Sequence, residues 1–452
     1  MKVAIAGGGI SGLACAYYLQ RAGIDATVFD PAPGGLIGTT TVEGCVLETG
    51  PESWLAAKPE AEALIREIGL GEQIMESNEA RRRTYVLRHG SFETLPEGLQ
   101  LVVPTKIRPV LETRLFSWST KFRMGLEVLR SPKLMADRSV TAFINDHFGT
   151  EAVDYLAEPL LAGVYGGSPD ELSAASVLPK FVEYEQRFGS VVVGALRDRK
   201  PAPRSGGARP GIFKTMRHGM GTVIDNLRAR VNIVTAPVEA LAPGDTAEEL
   251  WRIYAAGEWQ GFDSIVLACG ANHAAPLVAP VEERTGQLLG SIPHTGSAVW
   301  TMAYRREDVP HALDAFGFLV PRGERGAIMA CTWVNTKWEG RIPDDKAVLR
   351  CFSTNVEVTR EEVERDLARL MNVTAEPLFA LPYRWPGSMP QYTVGHTARI
   401  AELDARVARI PGLHLAGNAY HGVGIPDCIR SARAAATAIA RAAVSAQAGA
   451  NV

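Results

Sequence analysis

A chain of 452 residues is too long for one ordinary hydrophobic core, so about two or three structural units are expected. With 46% hydrophobic and 21% charged residues it has the composition of a folded soluble protein, and a net charge of −3 gives no general attraction to a polyanion, which sets nucleic-acid binding aside. The six cysteines (Cys15, Cys45, Cys269, Cys331, Cys351, Cys428) have no Cys-x-x-Cys spacing and do not cluster with histidines, so they read as reduced thiols and no metal site is expected.

Lys2 to Ala6 reads as a short buried strand running into Gly7-Gly8-Gly9-Ile10-Ser11-Gly12, and Leu13 to Arg21 has the spacing of a helix. This is Gly-x-Gly-x-x-Gly in a strand-turn-helix setting. Gly7 permits the tight turn, Gly9 lets backbone approach a pyrophosphate, and Gly12 lets the helix pack on the strand. The helix N-terminus then offers N–H groups to phosphates. Ala26 to Phe29 is a second strand, and Asp30 stands where an acid accepts from a ribose hydroxyl. The fold pattern starts at Lys2 and no apolar run approaches the ~20 residues that span a bilayer, so the cytoplasm is the expected compartment.

Pro31 to Gly38 is a loop whose paired glycines, Gly34 and Gly35, again let backbone lie against a cofactor; Cys45 to Glu48 reads as a strand, followed by Gly50-Pro51-Glu52-Ser53. Lys58 to Ile68 reads as a helix, and Arg81-Arg82-Arg83 precedes a strand at Tyr85 to Arg88. From 102 to 135, seven basic residues interleave with Leu111, Trp118, Phe122 and other apolar residues, opposed only by Glu112 and Glu127. Two readings stay open there: a helical surface that rests on the inner face of an anionic membrane or guides an apolar, acidic substrate, or a lid whose basic side faces water. Helices continue to about 199, and 200–211 is a Pro/Gly/Ser-rich linker. Past it, a helix opens at His218 to Thr222, strands recur at Val231 to Val234 and Phe262 to Cys269, and β-type runs at 298–304, 316–320, 327–333 and 347–353 suit a mostly antiparallel sheet. Thr359 to Met371 is an acidic helix; Leu413 to Ala416 is a last strand before a helix opened by Ile425-Pro426-Asp427.

The segment Leu413 to Arg430 resembles the C-terminal flavin motif of the porphyrinogen oxidases of haem biosynthesis, within the FAD-dependent amine-oxidase superfamily. Further matches are Gly50 to Ser53, Val103 to Ile107, Glu158 to Gly167, Ala330 to Trp333, Arg384 to Pro386, Met389 to Tyr392 and Gly395-His396; the Glu-Pro-Leu-Leu and Met-Pro-Gln-Tyr segments are the most specific. The resemblance implies an α/β fold: a discontinuous Rossmann-like FAD-binding domain (1–57, 212–290, 395–452), an antiparallel-sheet substrate domain (58–100, 291–394) and a helical insertion (101–199). It implies FAD held at Gly7 to Gly12, Asp30 with Pro31, Gly34 and Gly35, Gly50 to Ser53, Val238, Trp385, and Ile425, Pro426 and Asp427. The chain departs from the family in having Asp30 where Glu is usual, and Pro33 and Leu36 where a basic residue flanks the paired glycines.

The implied reaction is oxygen-dependent dehydrogenation of a porphyrinogen to a porphyrin: hydride moves from a methylene bridge to the flavin and O2 reoxidises it, over three two-electron cycles. The resemblance offers Lys58 and Arg83 as the candidate cations for substrate propionates, with Lys58 favoured over Arg83. No catalytic base is named; His421 and Tyr420 are the nearest candidates, each as readily a packing residue. Coproporphyrinogen III is favoured over protoporphyrinogen IX, with hand-over of product to a chelatase left open. The competing readings are an amine oxidase or carotenoid desaturase on the same fold, a non-catalytic dinucleotide-binding protein, and a nicotinamide-fed reductase, for which no second glycine fingerprint exists.

Overall fold

The computed structural model describes residues 1–198, 211–245 and 249–450, so the expected linker lies almost wholly outside the described residues. The chain forms two compact units: Met1–Glu76, Gly211–His294 and Ala398–Val452 make the first, and Ser77–Pro210 with Thr295–Thr397 the second.

The first unit is built on strand β1, Lys2–Ala6, whose near-continuous apolar run is buried on both faces of a parallel sheet. β1 pairs in parallel with β2, Asp25–Phe29, on one side and with Ser264–Leu267 on the other; Asn232–Val234 and Leu413–Leu415 complete the five strands. Helix α1, Ile10–Arg21, connects β1 to β2 and buries Leu13, Ala14, Ala16 and Leu19, each leucine contributing about 1.5–3 kcal/mol. The final helix, Ile425–Ala450, packs along α1 with Ile429, Ala432, Ala436 and Ile439 in the same core. Val238–Pro243, Trp251–Ala255 and Glu258–Phe262 form an antiparallel flap. Residues 58–76, expected in the other domain, belong here. Ile74–Glu76 pairs with Phe213–Met216, and the helix Glu60–Glu67 packs on the final helix.

In the second unit, seven strands run in the order Phe379–Pro390, His294–Arg305, Lys346–Ser353, Ala330–Trp333, Gly317–Leu319, Tyr85–Arg88, Ser91–Thr94. His294–Arg305 with Lys346–Ser353, Lys346–Ser353 with Ala330–Trp333, Ala330–Trp333 with Gly317–Leu319, and Tyr85–Arg88 with Ser91–Thr94 pair antiparallel, whereas Gly317–Leu319 and Tyr85–Arg88 are parallel. The helices between 107 and 197 share a core with this sheet, in which Phe143, Phe148 and Leu156 meet Val86 and Leu319. Sheet and helical segment therefore form one unit where two were expected. At its centre the buried His147 bridges Glu127 (2.8 Å) and Glu185 (3.1 Å), while Arg138 holds Glu185 (2.7 Å) and Arg130 holds Asp146 (2.6 Å). The arginines supply the countercharge that a cation would otherwise bring to these acids. Among the described residues no helix is long and apolar enough to cross a membrane.

Candidate active site

The glycine turn has the form that its spacing predicts. Gly7 sits at φ +111°, and a side chain there would press on Ala268 and on the Cys269 N–H. A Cβ on Gly12 would overlap the Gly7 carbonyl, so glycine alone lets α1 start this close to β1. Gly9, the N-cap of α1, has only the Gly35 Cα at 3.9 Å in front of it. No side chain caps α1, and its first turn carries no acid. Ile10 and Ser11 are buried behind the turn. The result is a cradle of backbone N–H groups at the positive end of a helix dipole, with Gly9 and Gly35 facing one another without side chains. An anionic dinucleotide such as FAD fits it. Gly34 donates to the Gly8 carbonyl (2.8 Å), which ties the second glycine loop to the first.

Asp30 closes the turn from beyond β2. Its Oδ2 accepts the Gly8 N–H (2.5 Å) and its Oδ1 the Ala32 N–H (2.7 Å), so the shorter acid is braced against the loop; Pro31 is exposed beside it. A cleft of about 370 Å³ opens next to Gly34 and Gly35, with His218 and Arg228 on its wall. In the sequence His218 reads only as the opening of a helix, and Arg228 carries no signal. Glu48 was missed too: although almost fully buried, it accepts the Met220 N–H (3.0 Å) and the Thr39 hydroxyl (2.7 Å), fixing the start of the helix Gly221–Arg228 against the loop. Its only sequence signal is an acid in an otherwise apolar strand.

Of the other expected contacts, Gly50 admits no side chain, because a Cβ would overlap the Leu36 carbonyl; Pro51 is exposed, and Glu52 and Ser53 are half-buried. The Glu52 carbonyl accepts from the Thr215 hydroxyl (2.6 Å). Val238 is half-buried opposite Ala255. Ile425, Pro426 and Asp427 are buried in the first turn of the final helix. Trp385 lies in the second unit, half-buried in the strand Phe379–Pro390.

The candidate cations are both paired. Lys58 Nζ donates to Asp427 Oδ2 at 2.5 Å, and Arg83, exposed, stands 3.6 Å from Asp314 Oδ2. Tyr420 is buried in the core with Leu267, Ala271 and Ala274, a packing position. His421 is exposed, with Nε2 3.3 Å from Asp404 Oδ2; that hydrogen bond and charge hold the imidazole pKa above its usual value. Cys269 beside the turn is a thiol whose pKa burial pushes up to about 12, which makes it a poor nucleophile.

A model of the family described as flavin containing amine oxidoreductase matches residues 10–440. The chain belongs to that family. The coproporphyrinogen III oxidase of Bacillus subtilis is 31% identical over 96% of this chain and 96% of its own length. The mitochondrial protoporphyrinogen oxidase of Nicotiana tabacum is 26% identical over 95% of this chain and 93% of its own. A solved structure from Exiguobacterium sp. 255-15, assigned as a protoporphyrinogen oxidase, superimposes with a TM-score of 0.83 at 29% identity, covering 97% of this chain and 98% of that one. Like the rest of the flavin containing amine oxidoreductases, this chain is an FAD-dependent oxidoreductase, and its uncapped glycine turn is suited to the cofactor's pyrophosphate.

Proposed function

We propose that this protein is a porphyrinogen oxidase of haem biosynthesis that converts coproporphyrinogen III to coproporphyrin III, with O2 as electron acceptor. The observation that supports it most is a full-length relationship to coproporphyrinogen III oxidases combined with a glycine cradle that a dinucleotide pyrophosphate fits. FAD held there would supply the chemistry, a two-electron oxidation of the macrocycle repeated three times, with one O2 reduced to H2O2 each time. The chain's own part is positioning. The α1 N-terminus and the glycines at 7–12 and 34–35 hold the pyrophosphate, Asp30 the adenosine ribose, and Gly50 to Ser53, Val238 and Ile425 to Asp427 make the remaining contacts of the first unit. Among the expected substrate cations, Arg83 is the one proposed for a propionate, because its guanidinium is exposed and, among the described residues, its ion pair is a long contact to Asp314.

The same reading includes a membrane contact. Ile107, Trp118, Phe122, Leu129 and Leu134 are exposed large apolar side chains within 102–135, where seven basic residues stand against two acidic ones and Glu127 is itself buried. Exposed apolar side chains interleaved with basic residues suit an anionic lipid surface. Product hand-over to a chelatase belongs to this reading.

The test is oxidation of coproporphyrinogen III and protoporphyrinogen IX, side by side in air, followed by porphyrin fluorescence and the flavin spectrum. Faster conversion of the four-propionate substrate supports the proposal, preference for the two-propionate substrate moves the chain to the other branch, and no conversion of either by FAD-loaded protein refutes both.

A further inference from the structure

Asp427 is gripped from two sides, and the grip ties together two stretches of chain to which the resemblance assigns the flavin. Its side chain is 3% exposed in the first turn of the final helix. Oδ2 accepts from Lys58 Nζ at 2.5 Å, and Oδ1 accepts from Arg430 Nη2 at 2.7 Å. Arg430 also reaches Glu60 Oε1 at 3.5 Å and donates to the His421 carbonyl at 3.0 Å. The charges alternate: Lys58, Asp427, Arg430, Glu60. Lys58 and Glu60 are two apart in one short segment; Asp427 and Arg430 are three apart and share one face of a helical turn. Two neighbouring residues of one segment thus hold two neighbouring residues of the other.

Both sides of this clamp are anchored. The Lys58 N–H donates to the Leu55 carbonyl (3.1 Å), the Ala56 N–H donates to the Ile212 carbonyl (2.9 Å), and Glu60 opens the helix Glu60–Glu67 that packs on the final helix. On the other side, a Cβ on Gly422, which sits at φ +131°, would lie 2.5 Å from Asp427 Cγ, and one on Gly424 would lie 3.2 Å from Oδ2. The carboxylate is seated in a turn made of glycine, at a helix end that favours an anion.

Lys58 follows Gly50-Pro51-Glu52-Ser53 by a few residues, and Asp427 completes Ile425-Pro426-Asp427. We infer that Lys58 is a positioning residue for the flavin: through Asp427 it sets the spacing between these two segments and neutralises the carboxylate there, and it is not the anchor of a substrate carboxylate. The inference rests on the proposed FAD contacts and not on the identity of the substrate. The geometry favours it because the ammonium already has a buried carboxylate partner, whose charge offsets its own and weakens its attraction for a second carboxylate.

The experiment uses the full chain, stripped of flavin and titrated with FAD, in wild type, Lys58→Gln, Lys58→Met and Lys58→Arg. Lys58→Met keeps the aliphatic stem packed should Lys58→Gln fold poorly. Three quantities are read: the FAD dissociation constant from flavin fluorescence, the flavin midpoint potential, and KM and kcat for both porphyrinogens. The expected result is FAD binding about tenfold weaker in the Gln and Met variants, equal to ~1.4 kcal/mol, with recovery in Lys58→Arg. The midpoint potential should move negative, because an Asp427 charge left less neutralised disfavours the electron-rich reduced flavin. KM should be unchanged for either substrate once flavin is saturating. Unchanged FAD affinity and potential overturn the inference, whether KM rises, as for a propionate anchor, or stays the same, as for a surface charge. The FAD titration needs no porphyrinogen, so a protein that oxidises neither substrate while showing the Lys58 dependence would refute the proposed function and leave this inference standing.

Discussion

Gly9 and Gly12 lie three residues apart in one turn, yet the structure gives them different jobs, and alanine at each position separates the two. At Gly12 the new Cβ would overlap the Gly7 carbonyl oxygen and lie 3.0 Å from its carbon and 3.3 Å from Ile5 Cγ2. The obstacle is backbone, which cannot move aside by changing rotamer. Overpacking of this kind costs about 1–3 kcal/mol, and the upper end applies here. Alanine regains up to ~1 kcal/mol of helix propensity. The net is ~2 kcal/mol, and at roughly 2–4 °C per kcal/mol for a unit of this size Tm falls by ~4–8 °C. At Gly9 the new Cβ meets only Gly35 Cα at 3.9 Å, an ordinary contact, so the flavin-free protein loses less than ~1 kcal/mol, chiefly from a poorer N-cap. The same methyl stands where the pyrophosphate is proposed to lie, and strain of ~2 kcal/mol there weakens FAD about thirtyfold. The assay is thermal unfolding of the flavin-free variants beside FAD titration of each. Gly9→Ala should melt close to wild type and bind FAD poorly, and Gly12→Ala should melt early even without flavin. Wild-type FAD affinity in Gly9→Ala, or a wild-type melt for flavin-free Gly12→Ala, would refute the reasoning.

For Glu127, burial raises the carboxyl pKa, but hydrogen bonds from His147, Ser190 and the Val191 N–H lower it further, leaving it below the usual range. Its stabilisation is therefore complete above the unfolded value of ~4.3 and is lost as pH falls through the depressed folded value. Urea midpoints measured down to about pH 3 should show this acid limb flattened in Glu127→Gln, with about 3 kcal/mol already lost at neutral pH; an unchanged limb counts against the assignment. Arg83→Ala should raise KM several-fold for the four-propionate substrate and leave stability within ~1 kcal/mol, because its exposed pair with Asp314 contributes little; an unchanged KM removes Arg83 from the substrate site. Trp118→Glu with Phe122→Glu should abolish sedimentation with anionic vesicles at low salt while leaving porphyrinogen oxidation in detergent intact; vesicle binding equal to wild type would return the segment to the lid reading.

The glycine turn, α1 and β2 were legible because each depends on neighbours in sequence: a glycine where φ must be positive, an apolar run, a helical period. The acidic helix was expected over Thr359 to Met371, and its observed start follows from the capping box between Thr359 and Glu362. The strand Phe379–Pro390 was not recognised, since Pro382, Pro386 and Gly387 read as breakers. It forms an edge of the seven-stranded sheet, where a missing N–H is tolerated. Residues 58–76 were placed in the wrong unit because what holds them, pairing of Ile74–Glu76 with Phe213–Met216, joins segments far apart in the chain and leaves no local pattern. In the candidate site the backbone cradle could be read and the charge network could not. Lys58 and Asp427 are 369 residues apart, and no spacing rule connects a lysine after a loop to an acid at a distant helix end. Arg430, three residues beyond Asp427 on a helix, is the one member whose pairing a helical wheel would have suggested.

The first unit takes its five sheet strands from both ends and the middle of the chain, and this orders events on the ribosome. The glycine turn is made early relative to the strand Leu413–Leu415 and the final helix that packs against α1, which follow it by about 400 residues. At about 5–20 residues per second, the nearly 400 residues between β2 and that strand take roughly 20–80 s to emerge. Through that interval α1 lacks the helix that covers it, and Asp427 has yet to be synthesised. A nascent chain stalled before residue 413 therefore displays the nucleotide fingerprint without the strand and the helix that complete its unit.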